Sequence, residues 1–339
     1  MTTLEMDREA FRKTLSERTE KINEELLRFL PEETGMQRII LEACNYSVEN
    51  GGKRIRPILM ETAYFLCKRA QEEENGGQQD GESDPGAFYL RYREEYETLL
   101  APFLAAIEMI HSSSLVHDDL PCMDNDSLRR GKPSTWAKFG EDMGTLAGDG
   151  LMIYAFETAC KAMEETKLRE CGTAAIGERA LRVVRAIGIL AQKTGIFGMI
   201  GGQTVDVALT GKTPDEEELD FIYRLKTGAL LEASTMIGAV LAGAGDAEIE
   251  TMRLAASELG MAFQIRDDIL DGTESSEELG KPAGSDERNR KTTYVTRIGV
   301  EKAQAEVESY TESAEKRIRE IAYYPFFEML CAYLTERRK

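Results

Sequence analysis

Six aspartates stand in two clusters that lie far apart in the sequence. They are Asp118, Asp119, Asp124, Asp267, Asp268 and Asp271. Adjacent carboxylates repel each other, so such clusters need a cation nearby. Sites built on carboxylate oxygens, without supporting Cys or His ligands, favour Mg²⁺ or Ca²⁺ over zinc. Two clusters that face each other would form a site for several metal ions, whose usual ligand is a phosphate or diphosphate.

The spacing of the second cluster fits a helix. Asp267 and Asp271 are four residues apart, which is about one helical turn, so both carboxylates share a face and can hold one ion jointly. Asp268 points about 100° away from them and is better placed to orient water or a basic group. The alternative is a solvated acidic helix end, although the ends of helices favour Lys and Arg.

The first cluster does not fit one regular helix. Asp118 and Asp124 are six residues apart, and Pro121 lies between them. Because proline removes a backbone donor, the helix must end or distort here if Asp124 is to return beside Asp118. The alternative is a turn rich in Asp and Asn.

The chain has two histidines, His111 and His117. They are too few for the metal sites of His-Asp phosphohydrolases, and a lone His is commonly a hydrogen-bonded helix residue.

Basic residues could hold an anion at three places. The first is the run Gly51-Gly52-Lys53-Arg54-Ile55-Arg56-Pro57. Its cations and free backbone N–H groups suit a diphosphate, although a charge run can also be merely solvated. The other two are the segments 125–139 and 272–291, which follow the two aspartate clusters and carry Arg129, Arg130 and Lys281. These segments are predicted to act as lids over an anionic ligand.

The composition excludes several classes of protein. A net charge of −19 argues against a nucleic-acid surface and fits a soluble protein. No apolar stretch reaches the length expected for a membrane span, and the N-terminus lacks a signal-peptide pattern. The six cysteines have no paired spacing, so they fit reduced thiols in a cytoplasmic protein.

Helical periodicity dominates the chain, so the predicted fold is all-α: a large single-domain helical bundle over 1–339, around a central cavity. Helices are predicted at 5–30, 37–49, 57–69, 95–118, 141–166, 175–196, 215–243, 246–271, 300–322 and 325–336. Alternating β-branched runs are missing, so no sheet is expected. The acidic, Gly-rich insertion around 72–94 is predicted to be a mobile loop.

Further motifs join these clusters in one pattern. They are His111, Arg129-Arg130-Gly131, Phe139-Gly140-Glu141, Leu146-Ala147-Gly148-Asp149, Gly201-Gly202-Gln203, Lys226-Thr227-Gly228 and Leu279-Gly280-Lys281. With the run 51–57 and both aspartate clusters, the chain resembles the trans-isoprenyl diphosphate synthases, or polyprenyl synthetases, over most of its length. The first cluster has the longer DDxxxxD form of bacterial farnesyl and of plant-like and bacterial geranylgeranyl diphosphate synthases.

The resemblance implies ionisation of an allylic diphosphate, condensation with isopentenyl diphosphate, and elimination. Three Mg²⁺ ions would bind the allylic diphosphate between Asp118, Asp124 and Asp267, with the other aspartates of both clusters as further metal ligands. The residues implied to hold this substrate are Arg129, Lys226, Thr227, Gln203 and Lys281. Those implied to hold isopentenyl diphosphate are Lys53, Arg56, His111 and Arg130. The family is usually homodimeric, and its departing diphosphate serves as the base.

The chain departs from the family pattern at a few positions. Trp136 stands where many relatives have His, Arg266 stands where many have Gln, and Ser127 replaces a further Asp. None of these is an implied metal ligand, so they bear on substrate preference more than on activity.

The resemblance also implies a product length. In this family the growing chain runs along the helix of the first cluster, and an aromatic residue five positions before the first Asp stops growth at C15. Here that residue is Ser113, followed by Ser114, so the tunnel is predicted to extend to geranylgeranyl diphosphate, C20, with Met109 and Ile110 as a partial floor. Replacing Ser113 with Phe is expected to shorten the product; farnesyl diphosphate, C15, is the alternative product.

Three other functions remain as alternatives. A class I terpene cyclase shares the fold, but its second metal motif usually has an Asn/Asp-Ser/Thr-Glu pattern, which is absent, and it does not need the run 51–57. A non-catalytic diphosphate-binding subunit would be expected to lose aspartates. A structural Ca²⁺-binding protein would need EF-hand spacing, which neither cluster has.

Overall fold

The computed structural model describes residues 7–75, 90–164, 173–273 and 293–335. Within these ranges the chain is almost entirely helical, which confirms the predicted all-α class. In chain order the helices are α1 (Arg8–Phe29), α2 (Arg38–Glu49), α3 (Ile55–Glu74), α4 (Arg93–Glu95), α5 (Ala101–Asp118), α6 (Thr135–Phe139), α7 (Glu141–Cys160), α8 (Thr173–Thr194), α9 (Met199–Ala208), α10 (Glu216–Ile222), α11 (Ala229–Ala242), α12 (Asp246–Thr273), α13 (Tyr294–Ile298), α14 (Val300–Ile321) and α15 (Pro325–Thr335). The π-helical turns Tyr96–Leu100 and Tyr223–Gly228 lead into α5 and α11, and the 3₁₀ turn Lys161–Met163 follows α7.

One short antiparallel hairpin corrects the expectation of no sheet. It pairs β1 (Leu128–Arg129) with β2 (Lys132–Pro133). The register places Leu128 opposite Pro133 and Arg129 opposite Lys132. Arg130 and Gly131 form the turn, with φ values of +52° and +76°. Two consecutive left-handed residues match the right-handed twist of a two-residue hairpin, and this turn presents Arg130 from the loop that follows the first aspartate cluster.

Most of the predicted helix boundaries agree with the structure. α1 ends just before Pro31, and α2 ends at Glu49, before the double glycine. The predicted helix 57–69 begins earlier and continues to Glu74. Helix α9 was not predicted as a separate element, because Gly195, Gly198 and the glycines at 201–202 lower helix propensity and hide its periodicity.

The chain divides into two compact units, each described here by itself. The first unit comprises 13–61 and 81–187, and the second comprises 1–12, 62–80 and 188–339, as far as these residues are described. The expectation of a single domain over 1–339 stays a prediction.

The core of the first unit is built around α5. All ten residues 101–110 are buried, including Glu108. A helix that is apolar on all sides belongs in an interior, and the charge of Glu108 there requires a partner. This helix ends at Asp118, so a rigid, buried element carries the first aspartate cluster.

The core of the second unit lies around α11, α12 and α14. α11 is buried along nearly its whole length. Tyr223 and Ile265 belong to a buried cluster that also contains Val307 of α14. This cluster lies directly beneath the end of α12, where the second aspartate cluster begins.

In the part of the chain that the structure describes, three helical stretches are long and apolar enough, by length and composition, to cross a membrane. The expectation that none reaches this length is therefore wrong on that measure. The most apolar 18-residue windows of Arg93–Asp118 and Glu216–Ala242 are 83% and 78% buried within the protein, as interior helices are. The corresponding window of Ala175–Ala208 is only 33% buried. A bend at 195–198 interrupts this third stretch. Some of its apolar side chains, such as Leu181 and Phe197, are exposed, whereas others, such as Val183 and Leu190, are buried.

Candidate active site

The first aspartate cluster lies where α5 ends and the chain reverses. α5 ends at Asp118, and the N–H of Asp119 donates to the carbonyl of Leu115 at 3.0 Å. The N–H of Asp124 donates to the carbonyl of Asp118 at 2.9 Å, and that of Asp126 donates to the carbonyl of Asp119 at 3.1 Å. The backbone at Asp124 therefore returns beside Asp118, as the spacing required.

Asp119 is engaged by Arg129. The guanidinium Nε of Arg129 donates to Asp119 Oδ1 at 3.0 Å, and its Nη2 donates to the same oxygen. Burial raises the pKa of Asp119, and the hydrogen bond with Arg129 opposes this effect. Burial lowers the pKa of Arg129, but the bond with Asp119 more than compensates, so the net pKa is raised. Asp118 is partly exposed and Asp124 is exposed, so these two carboxylates face solvent more than Asp119 does.

The loop that follows the cluster is held by three side chains, one from α6 and two from the C-terminal part of α2 and its cap. Trp136 Nε1 donates to the carbonyl of Asp126 at 2.9 Å. Tyr46 OH donates to the carbonyl of Pro133 at 2.7 Å, and Asn50 Nδ2 donates to the carbonyl of Arg129 at 3.2 Å. The first of the two predicted lids is thus fastened by hydrogen bonds, and the departure at Trp136 supplies one of them. The second, around Lys281, lies outside the described residues.

The side chain of Arg54 stabilises the run 51–57 from the protein interior. Its backbone has φ of +50°, a left-handed conformation that is uncommon for a residue other than glycine. The guanidinium donates to Asn23 Oδ1, to Glu108 Oε1 and to the carbonyl of Val48, each at 2.8 Å. The buried charge of Glu108 is thereby paired, and Arg54 is a residue that the sequence did not assign to the site.

Arg130 reaches this run across a glycine. Its Nη1 donates to the carbonyl of Gly51. A Cβ on Gly52 would lie 2.7 Å from Arg130 Nη2, and Gly52 has φ of +133°. The positive φ favours glycine at 52, whereas the guanidinium of Arg130 could shift to admit a Cβ. The structure brings Arg130 to the run as predicted, with Lys53 exposed beside it.

Two buried nitrogen atoms near Arg130 have no hydrogen-bond partner among the residues that the structure describes. They are Nε of Arg56 and Nδ1 of His111. Burial lowers the pKa of Arg56 to about 10, an effect opposed by Glu108 and increased by Arg130. Burial, followed by the charges of Arg56 and Arg130, lowers the pKa of His111 well below its ordinary value. Orphaned polar atoms among several cations are the expected lining of an anion site.

His111 is expected to stay neutral in the folded protein at pH values where a free histidine is half protonated. Its folded pKa lies below the unfolded value of about 6.5, so the unfolded state binds more protons as the pH falls through that value. The contribution of neutral His111 to the free energy of unfolding is therefore fully present above about pH 6.5 and declines below it. His111→Gln should lose less unfolding free energy between pH 7 and pH 5 than the wild type, measured by urea unfolding. Equal losses would contradict a depressed pKa, and NMR of the two histidines, assigned with His117→Gln, reads the titration directly.

The second cluster lies at the end of α12 in the second unit. Asp267 is partly exposed, whereas Asp268 and Asp271 are buried. Asp268 accepts hydrogen bonds from Tyr223 OH at 2.5 Å and from the N–H of Tyr294 at 3.2 Å. Arg266, which stands where many members of the family have Gln, contacts α14. The Nη1 of Arg266 donates to Gln304 Oε1 at 3.0 Å.

A cavity of about 110 Å³ opens beside this cluster in the second unit. Its lining includes Lys226, Thr227, Asp206, Gln264 and Asp268. Lys226 Nζ pairs with Asp206 Oδ2 at 2.5 Å, and Thr227 Oγ1 donates to Gln264 Oε1 at 2.9 Å. The structure therefore brings the predicted residues Lys226 and Thr227 together with the second cluster.

Asp206 and Gln264 were missed by the sequence analysis. Asp206 lies three residues after Gln203 on α9, and Gln264 lies three residues before Asp267 on α12. Each is about one helical turn from a residue that was assigned, so helical spacing could have found both. Gln203 itself is partly buried on α9.

The four predicted chain-length residues divide between two faces of α5. Ser113 is fully buried, and its Oγ donates to the carbonyl of Gly148 on α7 at 2.8 Å. Met109 lies one turn earlier, with its Sδ 3.7 Å from Thr158 Oγ1 of α7. Ser114, by contrast, is partly exposed. Ile110, Ser114 and Asp118 follow one another at intervals of four residues, which places them on one face.

The donor set fits a hard divalent cation bound together with a phosphate. Among the described residues no group of three Asp, Glu, His or Cys side chains converges closely enough to hold a metal ion. Mg²⁺ commonly uses one or two carboxylates, several waters and substrate phosphates instead of a closed protein cage. Asp118 and Asp124, beside the cations of the first unit, meet that requirement.

Comparison with known proteins gives a consistent result. A family model described as Polyprenyl synthetase matches residues 37–324. The chain is 41% identical over 282 residues to heterodimeric geranylgeranyl pyrophosphate synthase large subunit 1, chloroplastic, of Arabidopsis thaliana, a match that covers 82% of this chain and 66% of that protein. It is 40% identical over 282 residues to geranylgeranyl pyrophosphate synthase, chloroplastic, of Catharanthus roseus, covering 83% and 68%. The matched region thus spans about two thirds of these relatives.

A solved structure extends the match to the fold. The crystal structure of geranyltransferase from Legionella pneumophila is 28% identical, with a TM-score of 0.74 over 97% of both chains. The all-α class predicted from the sequence agrees with it. Because the plant relatives are chloroplastic by name, the cytoplasmic location expected for this chain stays a prediction.

Proposed function

Because the chain belongs to the polyprenyl synthetase family, as its motifs predicted, we propose that it joins isopentenyl diphosphate head to tail with an allylic diphosphate. The starter would be dimethylallyl, geranyl or farnesyl diphosphate, and the main product geranylgeranyl diphosphate. The relatives named geranylgeranyl pyrophosphate synthases support this product. The observation that carries the proposal is the pair of orphaned donors on Arg56 and His111, which lie among arginines beside the first aspartate cluster.

The isopentenyl diphosphate would bind to Lys53, Arg56, His111 and Arg130. The diphosphate would supply the partner that Arg56 Nε lacks within the described ranges, and a neutral His111 can donate from Nδ1 to a phosphate oxygen. The charge-assisted bonds of the arginines would fix the diphosphate and so aim the far end of the substrate. The buried ion pair of Glu108 and Arg54 would keep these cations in place.

The allylic diphosphate would be held through Mg²⁺, for which Asp118, Asp124 and Asp267 are the proposed ligands. When bound, the ions would neutralise the charge that develops on the departing diphosphate. The number of ions, three by resemblance to the family, belongs to this proposal. Asp119 would act through Arg129, which it orients toward the same diphosphate.

Lys226 would be a second cation for the allylic group, held ready by its ion pair with Asp206. Thr227 and Gln264 would border the carbocation that forms when the diphosphate leaves, and Gln203 would lie beside them. Such fixed dipoles stabilise charge in a dry site without reorganisation. Lys281 is proposed for the same diphosphate by resemblance alone.

Ser114 is the position where an aromatic residue is expected to shorten the product. Its side chain is partly exposed on the face of Asp118, along which the chain would grow. Ser114→Phe should therefore move the main product from C20 to C15, read by mass spectrometry of the dephosphorylated alcohols. The sequence predicts the same shift for Ser113→Phe. Because Ser113 is packed against α7, however, a Phe at this position would disturb the packing of the two helices. Ser113→Ala is the control, with C20 retained; an unchanged product in Ser114→Phe would contradict this choice of face.

A homodimer is proposed from exposed apolar side chains. Leu181 and Val184 lie three residues apart on α8 of the first unit, and their side chains are 73% and 68% exposed. Large apolar side chains grouped in this way on a surface commonly mark an interface. Leu181→Glu is expected to shift the protein from dimer to monomer in sedimentation velocity. The exposed Glu178→Gln on the same helix is the control, and a wild-type monomer would contradict the proposal.

The direct test supplies purified protein with Mg²⁺, isopentenyl diphosphate and each of the three allylic starters, and identifies the products by mass spectrometry. A dominant C20 product is expected. C15 alone would keep the reaction and overturn the product. If folded protein that binds Mg²⁺ and diphosphate condenses no starter, the prenyltransferase proposal fails and a cyclase or binding role takes its place.

A further inference from the structure

We propose that Tyr223 is a positioning residue of the reaction, whose hydroxyl holds the Asp268 carboxylate and thereby fixes the helix end that presents Asp267 and Asp271. The inference rests on the proposed function and adds to it a residue outside the aspartate clusters. It also assigns Asp268, expected from the sequence to be a metal ligand, a supporting role.

The carboxylate of Asp268 is enclosed by protein donors. Asp268 is only 5% exposed. Its Oδ2 accepts from Tyr223 OH at 2.5 Å and from the N–H of Tyr294 at 3.2 Å. Its Oδ1 lies 3.4 Å from Gln264 Nε2, one turn earlier on α12. Buried carboxylates need such donors to remain charged, and here the donors come from three separate elements.

Tyr223 and Tyr294 pack against each other beside this carboxylate. Their ring centroids lie 5.3 Å apart at an interplanar angle of 42°. The hydroxyl of Tyr294 turns the other way and donates to Asp220 Oδ1 on α10. Tyr294 therefore ties the start of α13 to α10, while its backbone and Tyr223 both hold Asp268. The end of α12 is fixed against two other helices through a single side chain.

The π-helical turn explains why Tyr223 can serve this purpose. Tyr223–Gly228 winds more widely than an α-helix, and such turns occur frequently at functional sites. This turn carries Tyr223 against Asp268 and also places Lys226 and Thr227 on the cavity. Gln264 completes the link, because it contacts both Thr227 and Asp268. Thr227 and the second aspartate cluster are thus joined through Gln264 in one hydrogen-bonded network.

Removing the hydroxyl should loosen this network without removing a ligand. Tyr223→Phe keeps the ring against Tyr294 but removes the hydroxyl that donates to Oδ2 of Asp268 at 2.5 Å. A hydrogen bond to a buried charge is worth enough that kcat should fall about tenfold or more. The Mg²⁺ concentration for half-maximal rate should rise about tenfold, because the groups that orient metal ligands affect metal affinity to this extent, whereas the KM for isopentenyl diphosphate should not change.

The control is Tyr310→Phe. Tyr310 packs against the same hydrophobic cluster, and its hydroxyl interacts with Arg224 instead of Asp268. It should reproduce any loss of stability caused by removing a half-buried hydroxyl, but leave kcat and the Mg²⁺ dependence unchanged. If Tyr310→Phe changes the Mg²⁺ dependence as much as Tyr223→Phe does, Tyr223 has only a structural role and the proposal is overturned.

A double-mutant cycle with Asp268→Asn tests the route of the effect. If Tyr223 acts through Asp268, adding Tyr223→Phe to Asp268→Asn should cost little more than Asp268→Asn alone. If the two substitutions act independently, so that their fold-losses in kcat multiply in the double variant, the proposal is overturned. Thermal shift with Mg²⁺ and inorganic diphosphate supplies a readout apart from turnover: Tyr223→Phe should show a smaller ligand-induced rise in melting temperature than wild type and Tyr310→Phe. This readout remains decisive even if wild-type protein condenses no starter, which would count against the proposed function alone.

Discussion

Replacing Gly202 with alanine is expected to cost most of the activity and a large part of the stability of the second unit. A Cβ on Gly202 would lie 2.2 Å from the backbone N of Lys226 and 2.8 Å from the backbone C of Leu225. Backbone atoms inside a π-helical turn cannot move aside as a side chain can, so α9 must shift. Overpacking of this kind costs about 1–3 kcal/mol or more. The shift would also displace Lys226 and Thr227, so kcat/KM should fall about a hundredfold or more.

Gly150→Ala is the matched control for this prediction. It also adds a methyl group inside a helix, but its nearest neighbour would be Cys44 Sγ at 3.5 Å, an ordinary contact distance. The higher helix propensity of alanine then favours stability, by up to about 1 kcal/mol. Urea unfolding and steady-state kinetics of both variants measure the difference. A Gly202→Ala protein that unfolds and turns over like the wild type would show that α9 is free to move away from the turn.

Replacing Asp118 with asparagine is expected to lower kcat by about a thousandfold, with the fold intact. The variant removes one negative charge from a partly exposed carboxylate at the end of α5 and keeps its size. Loss of a metal ligand that stabilises developing charge is worth several kcal/mol, and each 1.4 kcal/mol corresponds to about tenfold in rate. The required Mg²⁺ concentration should rise as well, which steady-state assays at varied Mg²⁺ would measure.

Asp126→Asn provides the comparison for Asp118. Asp126 lies in the same loop, is exposed, and contributes its backbone carbonyl to Trp136. Its carboxylate is 3.7 Å from Arg129, so its removal should change kcat by no more than a few-fold, as for other exposed ion pairs. If the two variants lose activity equally, the effect is one of total negative charge in the loop, and Asp118 is not a specific ligand.

Helical spacing accounts for what could be predicted of the fold and the site. The interval between Asp267 and Asp271, the break after Asp118 and the glycines after α2 are all local properties of the sequence. They fixed the helices and the end of α5, because local structure follows from periodicity and from residues that cannot continue a helix. The family motifs then supplied Arg56, His111 and Arg130, which the structure brings together in one unit.

Contacts between distant residues account for what was missed. Tyr223 and Asp268 are 45 residues apart, and neither the pattern around Tyr223 nor that around Asp268 indicates their bond. Arg54 reads as one more charge in a basic run, yet it is buried against Glu108, 54 residues away. Ser113 and Ser114 are neighbours of the same type, and only the packing of α5 on α7 separates their surroundings. Such pairings depend on tertiary packing, which overrides local preference.

Trp136 gives this protein an internal reporter. It is the chain's single tryptophan, so indole emission comes from one position, and its N–H is bonded to the carbonyl of Asp126 beside the first aspartate cluster. Indole emission changes with the polarity and hydrogen bonding of its surroundings. Arrival of an ion or a diphosphate in this loop can therefore be followed in real time by stopped-flow fluorescence, with no label and no engineered residue.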